Sequence, residues 1–260
     1  MDGERIYGLT EPVFIERREY GVHRWQLTSG EMVTGLSAPD WRVFKKELRQ
    51  INKEDRIVVS PEMITLTGVT LDQVPDHREL IEGRVGEMVE FSRDFPETTF
   101  LLGTADLGGR KPRNSVLYIK NSQRIGEVNK RHGATELEHE VFDLPKNEGS
   151  SLIPETNIGV LICADYVHTI MGSKPLQVDG QAETILLPSC WGWGGKIQGI
   201  EAMGADKYYY LNLKSISNRF IRAYPKVNEV VVVDRVVEVD EEMKDLVPSA
   251  PFNVMVKRKG

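Results

Sequence analysis

The chain has 260 residues and a formal net charge of −6; 40% of its residues are hydrophobic and 28% are charged. This length suits one large domain whose core needs no disulfides, and we predict a single domain over residues 1–260. The acidic balance argues against a nucleic-acid partner, and no apolar run is long enough to cross a bilayer. Because the sequence opens with charged residues and contains only two cysteines, we expect a cytoplasmic protein.

Strand-like and helix-like segments alternate along the chain. A short strand at 23–27 precedes a helix that Asp40 caps, and a buried strand at 56–60 precedes a second helix over 77–94. The apolar stripe of this second helix contains Leu80, Ile81, Val85, Met88, Val89 and Phe91. Further strands are predicted at 98–106, 115–120, 125–130, 157–163, 183–190, 228–239 and 252–258. Buried strands mixed with helices predict an α/β protein whose sheets are covered by helices.

Three reactive side chains each follow a predicted strand. Glu62 comes after the strand at 56–60, Lys130 ends the hairpin of 115–120 and 125–130, and Cys163 ends the strand at 157–163. Functional groups gather where strands end, because the sheet fixes their position while the loops leave them reachable. We therefore expect these three side chains to lie in one pocket.

Such a trio suits attack on a carbon–nitrogen bond. The carboxylate of Glu62 can take the proton of the Cys163 thiol, and the ammonium of Lys130 can stabilise both the thiolate and an oxyanion. Attack on an amide or nitrile carbon would release ammonia or an amine and leave a thioester for hydrolysis. Each residue also has a structural interpretation, because a buried cysteine is often inert and a lone lysine is usually a surface charge.

The segments around these residues resemble the nitrilase superfamily of carbon–nitrogen hydrolases, which use a Glu-Lys-Cys triad. The similar segments are IVVSPE before Met63, RNSVLYIKNSQRIGEVNKRH around Lys130, GVLICAD around Cys163, and ILLPS at 185–189. Together they lie within about residues 40 to 190. The resemblance implies an α/β (α+β) four-layer α-β-β-α sandwich and a homodimer or larger homo-oligomer. It also implies a triad of Glu62, Lys130 and Cys163, with no metal or organic cofactor.

Members of that family often carry a second glutamate between the lysine and the cysteine. Glu136, Glu138 and Glu140 are the candidates here, and the distance from Lys130 favours Glu138 as the assisting residue.

The sequence departs from the family pattern after Asp165 and after Pro188. We interpret Tyr166, Trp191 and Trp193 as substrate-binding residues; the two tryptophans lie among glycines after a strand, where rigid aromatics suit a pocket wall. A packing or subunit-contact role for the two tryptophans is an equal alternative. We interpret the second cysteine, Cys190, as structural.

A metal site is a weaker alternative. His132, Glu136 and His139 would share one face of a helix and could bind zinc, which would make the protein a metallohydrolase. Gly133 and the dense charge of this segment favour a solvated surface instead.

The sequence therefore predicts a thiol hydrolase that acts on a small amide, a carbamoyl compound or a nitrile, with amides favoured. Cys163 is the nucleophile, Glu62 the base, Lys130 the oxyanion stabiliser and Glu138 an assistant; acyl transfer to an amine would use the same groups. The rival hypothesis is a non-catalytic binding or assembly protein. The intact triad argues against that rival, and we expect iodoacetamide to label Cys163 more slowly in Glu62→Gln if the thiol is activated.

Overall fold

Two β-sheets form the centre of the molecule. The structure is a computed structural model, and it describes residues 13–145, 152–165, 181–190, 221, 224, 226–236 and 248–258. Eleven strands occur in these ranges: β1 (Val13–Arg17), β2 (Gly21–Gln26), β3 (Met32–Ser37), β4 (Ile57–Val59), β5 (Thr99–Asp106), β6 (Arg113–Lys120), β7 (Gln123–Asn129), β8 (Ile158–Val160), β9 (Thr184–Pro188), β10 (Glu229–Val233) and β11 (Asn253–Lys257). One sheet has the order β2-β3-β4-β5-β6-β7 and the other has the order β1-β11-β10-β9-β8.

Three α-helices occur in the described ranges: α1 (Trp41–Leu48), α2 (Arg78–Phe91) and α3 (Glu136–Val141). Short 3-10 helices occupy Ile64–Leu66, Leu71–His77 and Ser92–Asp94. The Asp40 side chain accepts a hydrogen bond of 2.8 Å from the Val43 amide, so the predicted N-cap of α1 is confirmed.

The core has four parts: each sheet buries both of its faces, which gives three, and a fourth cluster lies around the 3-10 helices that follow Glu62. Residues that alternate along one strand belong to different parts: Val231 and Val233 face the other sheet, whereas Val230 and Val232 face away from it. Between the sheets they pack with Val33, Val59, Leu101, Val160, Leu186 and Met255. On the far face of the six-stranded sheet, α1 and α2 bury Trp41, Phe44, Leu48 and Met88. The predicted mixed α/β class, with sheets stacked face to face under helices, is confirmed.

The sheet directions bring several strand ends to one edge. Strands β3, β4 and β5 are parallel, whereas β6 and β7 are antiparallel to their neighbours. Asn114 near the start of β6 therefore lies opposite Ala105 near the end of β5, and Ser115 lies opposite Asn129 at the end of β7. The chain leaves β4 at this same edge and enters the turn that carries Glu62. In the other sheet, β8, β9 and β10 are parallel and end together.

Most predicted elements are found, with three differences. Strands β1 and β3 have no counterpart in the prediction, and the predicted strand at 228–239 is described only to residue 236, with β10 ending at Val233. The stripe predicted for α2 is wrong at Leu80, which is 41% exposed, while Ile81 and Met88 are buried. Among the described residues, no helix is long and apolar enough to cross a membrane.

Candidate active site

The turn that carries Glu62 packs directly on the backbone of β5. Glu62 is 1% exposed. Met63 after it has a φ of 51°, in the left-handed region that is unfavourable for any residue with a side chain. A Cβ added to Gly103 of β5 would lie 2.2 Å from the Pro61 carbonyl oxygen and 2.9 Å from the Glu62 Cα. Only glycine at position 103 lets the turn come this close.

We expect Gly103→Ala to lower the free energy of unfolding by about 3 kcal/mol, because backbone atoms cannot yield as a flexible side chain can. Urea unfolding followed by circular dichroism measures this change. Gly86 of α2 is a matched control, since a Cβ there would meet no atom within 4 Å. Gly86→Ala should leave the stability unchanged or raise it slightly. Equal stability of the two variants would contradict the close approach.

Lys130 lies between two buried carboxylates. Its Nζ donates hydrogen bonds of 2.7 Å to Glu62 Oε1 and 2.7 Å to Glu138 Oε1. Glu62 Oε1 also accepts a bond of 2.7 Å from Asn114 Nδ2, and the Lys130 amide donates to the Asn114 carbonyl at 2.8 Å. The side chains of Lys130, Glu62 and Glu138 are at most 2% exposed. These contacts join three parts of the chain into one charged cluster.

Helix α3 positions Glu138. Thr135 caps this helix, because its hydroxyl accepts a bond of 3.2 Å from the Glu138 amide. Glu138 Oε2 in turn accepts a hydrogen bond from the Ala134 amide, which resembles the reciprocal pairing of a capping box. Glu138 is buried, whereas Glu136 and Glu140 are exposed. Of the three candidate glutamates, the structure brings only Glu138 to Lys130.

Cys163 begins the turn after β8. Its φ is 41°, its amide donates to the Pro188 carbonyl at 3.1 Å, and its Sγ lies 3.9 Å from the Cys190 carbonyl oxygen. Left-handed backbone at a residue other than glycine is typical of functional turns that the surrounding structure holds in place. The thiol is buried, within electrostatic range of Glu62, Lys130 and Glu138.

Asp165 ties the Cys163 turn to the segment after Lys130. Its Oδ1 accepts bonds of 2.9 Å and 2.8 Å from the amides of Arg131 and His132, and it lies 3.2 Å from His132 Nδ1. These bonds connect two sheets, so the carboxylate fixes the position of Lys130 relative to Cys163.

Burial and charge set the protonation of the cluster. Burial raises the pKa of Glu62 and the charge of Glu138 raises it further, while Lys130 opposes both. Burial alone would lower the pKa of Lys130, yet the charges of Glu62, Cys163 and Glu138 raise it well above its usual value. Burial and then Glu62 raise the pKa of the Cys163 thiol well above its ordinary value, with Lys130 opposing. These shifts favour the protonated thiol and the ammonium, so attack by sulfur needs a base.

The predicted zinc face does not form. Helix α3 begins at Glu136, so His132 precedes the helix and is directed to Asp165 instead. His139 packs on the segment before the helix, where a Cβ at Gly133 would lie 2.9 Å from its ring. Within the part of the chain that the structure describes, no group of three or more His, Cys, Asp or Glu side chains is placed to hold a metal.

The three predicted substrate-binding residues, Tyr166, Trp191 and Trp193, lie outside the described residues. Conversely, two residues of the site received no role from the sequence. Asn114 lies near the start of the segment RNSVLYIKNSQRIGEVNKRH, and its side-chain amide donates a hydrogen bond to Glu62. Arg235 donates to the carbonyl oxygens of Glu62 and Met63, and no local pattern marks a contact with residues so distant in the sequence.

Comparison with known proteins places the fold. No family model matches the sequence, and no curated protein matches it. Among solved structures, the chain is similar to a carbon–nitrogen hydrolase from Helicobacter pylori G27, with a TM-score of 0.54 and 14% identity over 83% of this chain and 80% of that one. It is also similar to an amidase from Nesterenkonia sp., with a TM-score of 0.55 and 10% identity over 99% of this chain and 93% of that one. A variant of the Nesterenkonia sp. AN1 amidase, with acrylamide added at its active-site cysteine, gives a TM-score of 0.56 and 9% identity over 96% and 94% of the two chains. These similarities confirm the fold that the resemblance implied.

Proposed function

We propose that the protein is a carbon–nitrogen hydrolase that cleaves a small amide through a thioester on Cys163. The observation that carries this proposal is the buried cluster in which Lys130 bonds to both Glu62 and Glu138 beside the thiol. Burying three charged groups is costly unless they are used or fully paired. A binding or assembly protein has no need of this cluster, so catalysis is the better account of it.

The hydrogen bonds of Glu62 leave one oxygen to act as the base. Lys130 and Asn114 both donate to Oε1, and Oε2 accepts no hydrogen bond from the described residues. In the proposed first step, Glu62 Oε2 takes the thiol proton while Cys163 Sγ attacks the amide carbon. Lys130 has three N–H donors and uses two of them on carboxylates, so the third can stabilise the oxyanion that forms.

Collapse of the tetrahedral intermediate breaks the C–N bond. Glu62 returns its proton to the leaving nitrogen, ammonia or an amine departs, and a thioester remains on Cys163. Glu62 then takes a proton from water as the water oxygen attacks the thioester carbon. Collapse of this second intermediate breaks the C–S bond and releases a carboxylic acid, and Glu62 returns its proton to the sulfur, which restores the thiol. Glu138 keeps Lys130 in place and charged throughout.

The ligands bound in the structural neighbours favour amides over nitriles. One Nesterenkonia sp. AN1 amidase variant is in complex with butyramide, and another carries the acetamide moiety of fluoroacetamide at its active-site cysteine. By analogy we propose a short, uncharged amide as the substrate class of this chain. Cytoplasmic location and assembly as a homo-oligomer remain predictions from the sequence.

The test is ammonia release from a panel of short amides, carbamoyl compounds and nitriles. We expect release from at least one amide, with a faster rate for amides than for nitriles. Acid quenching during turnover, followed by mass spectrometry, should show an acyl adduct on the peptide that contains Cys163. The proposed mechanism would be overturned if ammonia were released while the acyl adduct lay on a peptide without Cys163. It would also be overturned if a burst of ammonia release gave no acyl adduct at all.

The charge of Glu138 predicts a shift in the pH dependence. A carboxylate near Glu62 disfavours its ionised form, so removing that charge should lower the pKa of Glu62. We therefore expect the acid limb of kcat/KM to move to lower pH in Glu138→Gln, together with a lower maximum because Lys130 loses one anchor. The pH profile of ammonia release measures both effects. An acid limb that stays in place, or moves to higher pH, would mean that Glu62 is not the group titrating there.

A further inference from the structure

Arg235 is a buried cation that forms no ion pair with any described residue. It follows β10 and is 5% exposed. Its guanidinium instead donates to two backbone carbonyls, from Nε to the Glu62 oxygen at 3.0 Å and from another nitrogen to the Met63 oxygen at 3.3 Å. Burying a charge to bind two neutral carbonyls is costly, which points to a requirement at this particular turn.

The turn that Arg235 binds carries the base. Met63 has left-handed backbone geometry, which is unfavourable for any residue with a side chain. The turn therefore needs contacts with other parts of the structure to hold it in place. Gly103 makes room for it on one side through the close approach to Pro61. Arg235 binds its carbonyls from the other sheet. The two contacts together fix where the Glu62 side chain leaves the backbone.

The backbone of Arg235 also connects to the nucleophile. Its amide donates to the Ser189 carbonyl at 3.3 Å, and the Cys163 amide donates to the neighbouring Pro188 carbonyl at 3.1 Å. A chain of contacts thus runs from Cys163 through the end of β9 to Arg235, and from its guanidinium across to Glu62. The base and the nucleophile belong to different sheets, and Arg235 bonds to parts of both.

We propose, on the premise of the hydrolase proposed above, that Arg235 is a positioning residue that holds the Glu62 turn of one sheet in register with the Cys163 turn of the other. Its planar fork suits this task, because it reaches two carbonyls at fixed separation while a lysine ammonium is a single point on a flexible stem. It contacts no reacting atom and acts only through Glu62.

Arg235→Lys keeps the charge and removes the fork. We expect kcat to fall about 100-fold with little change in KM, since a displacement of about 1 Å between reacting groups costs this much. Arg235→Ala should lose at least as much, and millimolar guanidinium chloride should restore most of the lost rate by occupying the vacated site. Wild-type kcat in Arg235→Lys, or a folded Arg235→Ala that guanidinium does not rescue, would overturn the proposal.

Arg258 supplies the matched control. Its guanidinium donates to the carbonyls of Ile221, Tyr224 and Val227, none of which belongs to the Glu62 turn. Arg258→Ala should lower the midpoint of thermal unfolding yet keep kcat, with no response to guanidinium. If Arg258→Ala lost as much kcat as Arg235→Ala, the loss in Arg235→Ala would reflect lowered stability and not positioning of Glu62.

A second measurement separates this inference from the proposed function. If the wild type releases no ammonia from any compound, the proposed function fails, and the labelling of Cys163 by iodoacetamide still tests Arg235. A displaced Glu62 carboxylate would oppose ionisation of the thiol less, so labelling in Arg235→Lys should begin at lower pH than in the wild type. Identical labelling profiles would overturn the positioning role whatever the activity.

Discussion

Replacing Cys163 with alanine is expected to reduce ammonia release to the background rate, a loss of at least about 10⁴-fold, because no other group can form the thioester. The backbone should keep its position, since the Cys163 amide and not its side chain bonds to Pro188. Removing the buried sulfur should therefore change the free energy of unfolding little. The measurement is ammonia release at saturating amide, compared with urea unfolding of the same preparation.

Cys190 is the control for this substitution. Both cysteines are buried and follow adjacent parallel strands, but Cys190 faces Cys163 through its backbone carbonyl, which any residue retains. Cys190→Ala should keep most of the activity and the acyl adduct on Cys163. If activity survives in Cys163→Ala, or disappears in Cys190→Ala alone, then Cys163 is not the nucleophile.

The sequence identified the catalytic candidates because each follows a clear local pattern. Apolar runs end at Val59, three residues before Glu62, and at Ile162, directly before Cys163, and strands that end at one edge bring their following residues together. The choice among three glutamates depended on tertiary contacts, yet a signal was available. Thr135 followed three residues later by Glu138 matches a helix N-terminus, and placing the helix start there would have removed His132 from the predicted zinc face.

Other features could not be predicted from local patterns. Strand β3 contains Gly35, which weakens a strand prediction, but a Cβ there would lie 2.7 Å from Trp25 and 2.8 Å from Val233 of the other sheet. The glycine allows the sheets to approach, and this reason exists only in the folded state. Arg235 is likewise ordinary in sequence, because its role depends on carbonyls in a turn of the opposite sheet.

Glu62→Gln removes the proposed base and keeps the shape of its side chain. Glutamine has the shape of glutamate, and its carbonyl oxygen can still accept from Lys130 and Asn114, so the turn should fold. It cannot take a proton from the thiol or from water, and both steps of the proposed reaction need this transfer. We expect ammonia release to fall by about 10³-fold or more at every pH. A variant within tenfold of the wild type would remove Glu62 from the mechanism.

At alkaline pH, iodoacetamide should label Cys163 faster in Glu62→Gln than in the wild type, although the sequence alone predicted slower labelling. The Glu62 carboxylate raises the pKa of the thiol, so its removal leaves Lys130 to favour the thiolate and should lower that pKa. Iodoacetamide should therefore begin to label Glu62→Gln at lower pH than the wild type, although ammonia release is lost. A more readily ionised sulfur in an inactive variant would show that Glu62 contributes as a proton acceptor during attack. Slower labelling at all pH values would mean instead that the carboxylate keeps the resting thiol ionised.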